Sequence, residues 1–459
     1  MTPSTPLRRP LFFSLIFLTA LLVSLRAARS DRHVVLISID GFPAYLWRDE
    51  SIPLPHLRQL AAAGAVAEAM TVVNPTITWP NHTSLITGVT PAKHGVLYNG
   101  LVVRGGPGQP NKIEPWVDKA KLVRVPTLYD AAFAAGLTTA EVDWVAITRP
   151  QTITWSFAEL PDPAAVLSQE MIAAGVATVS EIEAARSGQR NIVWRDELWT
   201  RAACFAFSRH QPNLLLYHTL NTDSTHHRFG PGSAPGITAL ALADRLVGEL
   251  LRTIDATGRR AQTTVIVTTD HGFKKVDKYI YPNVVLKNAG LLRSAGATIT
   301  RCDAYAGTQG GIAFVYITDP TRRAELRPRL IELFTHTTGI ATVIDATLHA
   351  SDHGLPTPRE NQGMGELILY PENGYAFSGA AVGDAVVGPS LNYGGTHGYP
   401  ATDPEIDGIF IASGAGIKPG VKITRVRTID VAPTIAKLLD VPLPDADGHV
   451  LTAILQSSP

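Results

Sequence analysis

Residues 33–41 read HVVLISIDG: a near-continuous apolar run, His33 to Ile39, that stops at Asp40-Gly41. A strand wetted on one face alternates apolar and polar side chains, whereas a strand covered on both faces does not. The run therefore predicts a buried parallel strand, with Asp40 where the strand hands the chain to a turn. Two later stretches repeat the design. Residues 213–220, NLLLYHTL, end ahead of Asp223, and residues 263–269, TTVIVTT, end at Asp270-His271-Gly272.

Helical spacing fills the intervals. Leu54–Ala63 stops at Gly64, Pro126–Ala135 stops at Gly136 with its proline suited to a first turn, and Ile237–Ala256 is long and amphipathic. Leu137–Val145 reads as extended, and Ile409–Ala412 followed by Ile429–Leu439 supplies a last strand and helix. Strands alternating with helices predict an α/β fold, a doubly wound, mostly parallel sheet flanked by helices. From Lys274 to Gly395 the pattern changes to short extended pieces, Gly-rich turns at Gly307–Gly311 and a helix over Pro320–Thr337 kinked at Pro328. Residues 274–395 are thus expected to form a smaller α+β cap inserted into one core spanning 31–459.

Composition narrows the function classes. The chain of 459 residues is 45% apolar and 17% charged, a globular balance, with 40 basic residues matching 40 acidic ones. No basic stripe marks a nucleic-acid backbone as partner. A small anionic substrate stays open, because bound metals can supply positive field that the surface lacks. At the N-terminus, Arg8 and Arg9 precede an apolar run from Leu11 to Leu25 and the small residues Ala27, Ala28 and Ser30. That is the order of an export signal, with cleavage expected near Ala27 or Ser30 and a periplasmic or extracellular destination. The run is short of the roughly 20 residues of a full span, and an uncleaved anchor is the alternative. Cys204 and Cys302 are too few for a disulfide scaffold; plain thiols are favoured over a pair, and neither has a metal-ligand spacing.

Chemistry gathers at the predicted strand ends. Asp40-Gly41 is by itself compatible with a simple turn. Asp223 and His227 stand four apart, which on a helical turn puts both on one face, leaving His226 at the surface or behind the ligands. Asp270 and His271 are adjacent, and His397 sits among Gly394, Gly395 and Gly398. Thr78 lies in TITWPNH just before a helix start at Pro80-Asn81, where a hydroxyl is either a cap or a nucleophile near a phosphate-favouring helix end. Together these residues supply three carboxylates, three imidazoles and a hydroxyl, the needs of two zinc-like ions and an attacking group.

The ordered set Ile39-Asp40-Gly41, Thr78-Trp79-Pro80-Asn81-His82, Asp223-x3-His227, Asp270-His271-Gly272 and His397-Gly398-Tyr399 resembles the nucleotide pyrophosphatase/phosphodiesterase family of the alkaline phosphatase superfamily. The resemblance implies an alkaline-phosphatase-like core and two Zn2+ ions. Asp223, His227 and His397 would hold one; Asp40, Asp270 and His271 would hold the other, with Thr78 as its attacking alkoxide. It further implies that Asn99 hydrogen-bonds a phosphate oxygen and that Trp79, in place of the commoner Phe, contacts the substrate. The activity implied is hydrolysis of phosphodiester or phosphoanhydride bonds through a phosphothreonine. A phosphomonoesterase or phosphonate hydrolase is the runner-up, and a non-catalytic secreted binding protein the remote alternative. Neutral Asn99, with no Lys or Arg completing the set, favours a diester; Thr78 at the nucleophile position excludes a formylglycine sulfatase. The stretch from Asp143-Trp144 to Arg149 is a further candidate for substrate contact.

Overall fold

The structure, a computed structural model, describes residues 31–391 and 393–457. The export segment expected at residues 1–30 lies outside the described residues.

The His33–Ile39 strand lies inside an eight-stranded sheet, between Leu214–Thr219 and Thr263–Thr268, and it is parallel to both. Its side chains divide by pleat. Val35, Ile37 and Ile39 enter one apolar cluster, with Trp199, Phe207 and Leu250. Val34 and Leu36 enter another, with Leu128, Tyr129 and Ile435. All seven residues of the strand are buried, as expected of a strand with helices on both faces. Each fully buried Val, Leu or Ile contributes about 1.5–3 kcal/mol of transfer free energy, so this strand is a large local source of stability.

Thr139–Val142 and Trp155–Phe157 extend the sheet in parallel beyond Leu214–Thr219. On the other side the direction changes. Phe410–Gly414 runs antiparallel both to Thr263–Thr268 and to Ala65–Thr71, and Val421–Arg427 then completes the edge parallel to Ala65–Thr71. The sheet is therefore mixed, with one reversed strand. The edge strand alternates buried or half-buried Val421, Ile423 and Val426 with Lys422, Arg425 and Arg427, charges that discourage another chain from pairing there.

Helix limits shift from expectation for local reasons. Pro126 stays outside its helix, because Thr127 caps Leu128–Ala134 in a reciprocal capping box with Asp130. The extended reading of Leu137–Val145 holds only for Thr139–Val142; Asp143 then turns with φ +57°. The 23-residue helix Ala234–Ala256 starts earlier than expected because Ser233 accepts a hydrogen bond from the Gly236 N–H.

Between Lys274 and Gly395 the chain builds an antiparallel sheet in the order Ala304–Gln309, Ile312–Ile317, Leu367–Pro371, Ile340–Asp345. The helix Arg323–Thr335 runs through Pro328 and packs Leu326, Leu330 and Phe334 into an apolar cluster with Ile317, Leu367 and Leu369. The hairpin turn Gly310-Gly311 abuts the later segment around His397: Gly311 N–H donates to the His397 carbonyl at 2.7 Å. A Cβ at Gly311 would stand 2.5 Å from the Tyr399 nitrogen, so only glycine permits this approach.

Candidate active site

Three neighbouring parallel strands end together and deliver their carboxylates to one edge, the usual ligand side of such sheets. Asp40 follows His33–Ile39 directly, with its N–H bonded to the Thr219 carbonyl at 3.0 Å. Asp270 lies just past Thr263–Thr268. Asp223 and His227 occupy the helix Asn221–Phe229 that follows Leu214–Thr219, and His227 Nε2 is 3.4 Å from Asp223 Oδ1. His397 arrives from far along the chain: Gly395–Thr396 pairs antiparallel with Lys274–Lys275, which stacks the His397 ring on His271 at 3.6 Å between centroids.

The side chains form two groups whose ligand atoms lie within 4.8 Å of one another: Asp40, Asp270 and His271, and Asp223, His271 and His397. The first group is the set expected from the sequence. The second contains the expected Asp223 and His397 but shares His271, while His227 approaches the same Asp223 oxygen from its own helix. His271 Nε2 is 3.1 Å from Asp270 Oδ2 and 3.4 Å from Asp40 Oδ1; His397 Nε2 is 3.7 Å from Asp223 Oδ1.

The imidazoles are oriented alike. Nδ1 of His227, His271 and His397 faces the backbone carbonyls of Gly395, Gly272 and Thr76 at 3.1, 3.1 and 3.0 Å. A carbonyl only accepts, so each Nδ1 carries the proton and each Nε2 turns a lone pair to the carboxylates. Four atoms at the centre, Asp40 Oδ1, Asp223 Oδ1, Asp270 Oδ2 and His271 Nε2, are buried with no hydrogen-bond partner among the described residues. Unpaired buried acceptors facing one another are costly. Burial, then Asp40, pushes the Asp270 carboxyl well above its usual range; burial, then Asp223, raises Asp40; and burial raises Asp223. Burial also holds His271 well below the ordinary imidazole value and His397 down at about 3. All the shifts favour neutral forms, the behaviour of a donor set that lacks positive charge. The residues fit divalent cations.

Thr78 is the first residue of the helix Thr78–Thr87, with Ile77 at the cap position and no side-chain cap bond. The helix starts two residues earlier than Pro80 and the capping reading of Thr78 is excluded. The Thr78 hydroxyl makes no hydrogen bond among the described residues. His82, one turn on, ties this helix to the carboxylates: its Nδ1 is 2.9 Å from the Thr78 carbonyl and 3.6 Å from Asp270 Oδ2. Asn99 Oδ1 accepts the Trp79 N–H at 3.0 Å, which fixes the amide beside Thr78 and leaves its Nδ2 to donate. Trp79 N–H is thus engaged and Pro80 has none, so Thr78 N–H and Asn99 Nδ2 are the donors this helix end offers.

Two cavities are lined by candidate residues. One of about 820 Å³ is lined by Asp223, His227, Arg228, Phe229, Leu391 and Tyr393 among others. Another of about 190 Å³ is lined by Trp79, Trp116, Glu141, Trp144 and Arg149 among others, which brings the Asp143–Arg149 stretch beside Trp79. An arginine borders each cavity: Arg149 is paired with Asp118, and Arg228 is exposed. His226 is buried rather than superficial, its Nδ1 on the Gly41 carbonyl at 3.1 Å.

Sequence reasoning missed His218 and its contact with Asp143. His218 Nε2 lies 3.0 Å from Asp40 Oδ2, and its Nδ1 lies 2.9 Å from the Asp143 carbonyl and 3.3 Å from Asp143 Oδ2. Burial opposes charge on this ring, yet its bonds to Asp143 and Asp40 outweigh that and hold its pKa well above the ordinary value. A signal existed: a histidine inside the apolar run NLLLYHTL needs buried polar partners.

A mixed sheet flanked by helices, with Asp and His side chains gathered at one edge, is an alkaline-phosphatase-like arrangement. The structure matches human ectonucleotide pyrophosphatase/phosphodiesterase 5 with a TM-score of 0.69 at 17% identity, covering 93% of this chain and 100% of that one. An inactive murine form of that protein in complex with AMP matches at 0.68, with 17% identity and the same coverage. In sequence, the chain is 24% identical over 438 residues to human ectonucleotide pyrophosphatase/phosphodiesterase family member 7, covering 93% of this chain and 83% of the relative. It is also 24% identical over 254 residues to the venom phosphodiesterase of Macrovipera lebetinus, covering 53% of this chain and 26% of that protein. Residues 34–400 match the type I phosphodiesterase/nucleotide pyrophosphatase family, and the chain belongs to it.

Proposed function

We propose that this chain is an exported two-zinc phosphodiesterase or nucleotide pyrophosphatase with Thr78 as nucleophile. The observation that carries the reading is the set of buried, unpaired ligand atoms on Asp40, Asp223, Asp270 and His271, beside a helix that begins at Thr78. Asp40, Asp270 and His271 would hold one ion; Asp223, His227 and His397 would hold the other, and a mixed carboxylate–imidazole set suits zinc. When bound, such ions lower the pKa of an attacking hydroxyl and offset charge on attacking and leaving oxygens.

The chain's own groups do the rest. Thr78 at the first helical position meets a phosphate where the helix end favours an anion. Asn99 Nδ2 and Thr78 N–H would donate to its non-bridging oxygens as charge grows there. Attack by Thr78 Oγ1 on phosphorus expels the leaving oxygen and forms a phosphothreonine, which water then cleaves. Trp79, which lines the smaller cavity, offers a face for the group kept on phosphorus. Asn99 carries no charge, which matches the single negative charge of a diester. Residues 31–459 would constitute the catalytic domain and 274–395 a cap whose Gly310-Gly311 turn braces His397.

The test compares bis(p-nitrophenyl) phosphate with p-nitrophenyl phosphate on zinc-loaded protein. The diester is expected to win in kcat/KM by roughly tenfold or more, about 1.4 kcal/mol in the barrier. A preference for the monoester overturns the diester assignment.

A further inference from the structure

We propose that His218, anchored by Asp143, is a positioning residue that turns Asp40 toward the metal. The inference rests on the reading of Asp40, Asp270 and His271 as a metal-holding group. His218 stands opposite Ser38 in the parallel pairing of Leu214–Thr219 with His33–Ile39, so strand register sets it beside Asp40. Its partners are the Asp40 carboxylate oxygen Oδ2 at 3.0 Å and the Asp143 carbonyl at 2.9 Å. The Asp143 carbonyl only accepts, so Nδ1 donates to it, and Nε2 faces the Asp40 oxygen.

A carboxylate has two oxygens, and the His218 bond commits one. Oδ2 of Asp40 is held; Oδ1 is left unpaired, 3.4 Å from His271 Nε2 and within the ligand group. Rotation of Asp40 would break its bond to His218, so the imidazole selects which oxygen is presented. The imidazole cannot itself turn freely. The His82 ring meets it edge-on at 4.5 Å, and Trp144 meets His82 in the same way at 4.9 Å. Asp143 holds its end from a left-handed backbone, φ +57°, a conformation that costs an Asp residue energy and persists where surrounding structure demands it. A histidine buried only for packing would need no carboxylate at each end of its ring; this one spans from a ligand to a strained anchor.

The experiment is a zinc titration of apo-protein in competition with a chromophoric chelator, comparing the native chain with His218→Ala and His218→Gln. Loss of the outer partner of a metal ligand typically lowers affinity by about 10- to 100-fold, and His218→Ala is expected to show that loss for one equivalent of zinc. His218→Gln, which keeps a donor for Asp40, should recover part of it. Cobalt loading gives a second readout: the visible spectrum of one bound ion should change in His218→Ala. Should His218→Ala fail to fold, His218→Leu, which fills the space without a donor for Asp40, replaces it with the same expectations. Unchanged zinc affinity and an unchanged cobalt spectrum in a folded variant overturn the inference while leaving the metal reading intact. A native chain that binds no zinc sinks both together.

Discussion

At the scale of single residues, Thr78 and Glu141 make separable demands. Thr78 is buried, sits at a helix start and has a hydroxyl with no hydrogen bond among the described residues, so its replacement should barely disturb the fold. Thr78→Ala is expected to lower kcat/KM by on the order of 10^4-fold or more, the scale seen when a covalent nucleophile is removed, with little change in zinc content. A folded, zinc-replete Thr78→Ala enzyme of native activity would falsify the covalent route. Glu141 is fully buried beside the smaller cavity, holding the Ser156 hydroxyl and the Trp144 N–H; burial pushes its carboxyl up to about 7. A raised acid binds more protons folded than unfolded, so its neutral form causes no penalty below the ordinary value of 4.5. The penalty grows as pH rises from 4.5 to about 7 and reaches an order of 3 kcal/mol above that. Glu141→Gln removes the titration, so the stability difference between variant and native should shift in favour of Gln from pH 4.5 to 8. Denaturant unfolding at several pH values reads this, and a pH-independent difference would refute the assignment. Asp40 and the Asp270-His271 pair were legible in the sequence because each follows an apolar run; Asp223, His227 and His397 were singled out by spacing, neighbouring glycines and the family resemblance. His218 and its link to Asp143 were not legible, because their meaning lies in a contact between strands that only register creates.

At the scale of elements, the His33–Ile39 strand is the clearest case of sequence dictating structure. Its lack of alternation foretold burial on both faces, and Leu36 is fully buried against the Leu128–Ile435 side. Leu36→Ala should cost about 2–5 kcal/mol by lost transfer and the cavity left behind, measured by chemical denaturation. A cost under 1 kcal/mol would mean that the strand relaxes around the gap. Other elements were less legible. Ala65–Thr71, rich in small residues, and Val421–Arg427, which mixes charged and apolar residues, lack the long apolar run that marks the central strands; they become strands by pairing with each other. The direction of Phe410–Gly414 was hidden for a similar reason: FIASG has the same composition whichever way its neighbours run.

At the scale of the whole molecule, the candidate metal ligands come from segments that the fold holds together against their own electrostatics. Asp40, Asp223 and Asp270 are buried close to one another, and their carboxyls are all raised, so metal binding should stabilise the native state strongly. Each site filled at a thousand times its Kd adds about 4 kcal/mol. Removing metal with a chelator should therefore lower Tm by several degrees and restoring zinc should recover it; a Tm indifferent to both would count against the metal centre.

The reversed strand also sets a timetable for synthesis. Ala65–Thr71 leaves the ribosome early, yet its partners in the sheet are Phe410–Gly414 and Val421–Arg427. They follow roughly 340 residues later, a wait of about 17 to 70 s at about 5–20 residues per second. Until then the Thr263–Thr268 strand, too, lacks its neighbour on that side. The five parallel strands are complete by residue 268, but the reversed side of the sheet cannot close before translation is nearly done. For a protein proposed to leave the cytoplasm, such late closure of one side of the sheet is compatible with passage of an incompletely folded chain through a secretion channel.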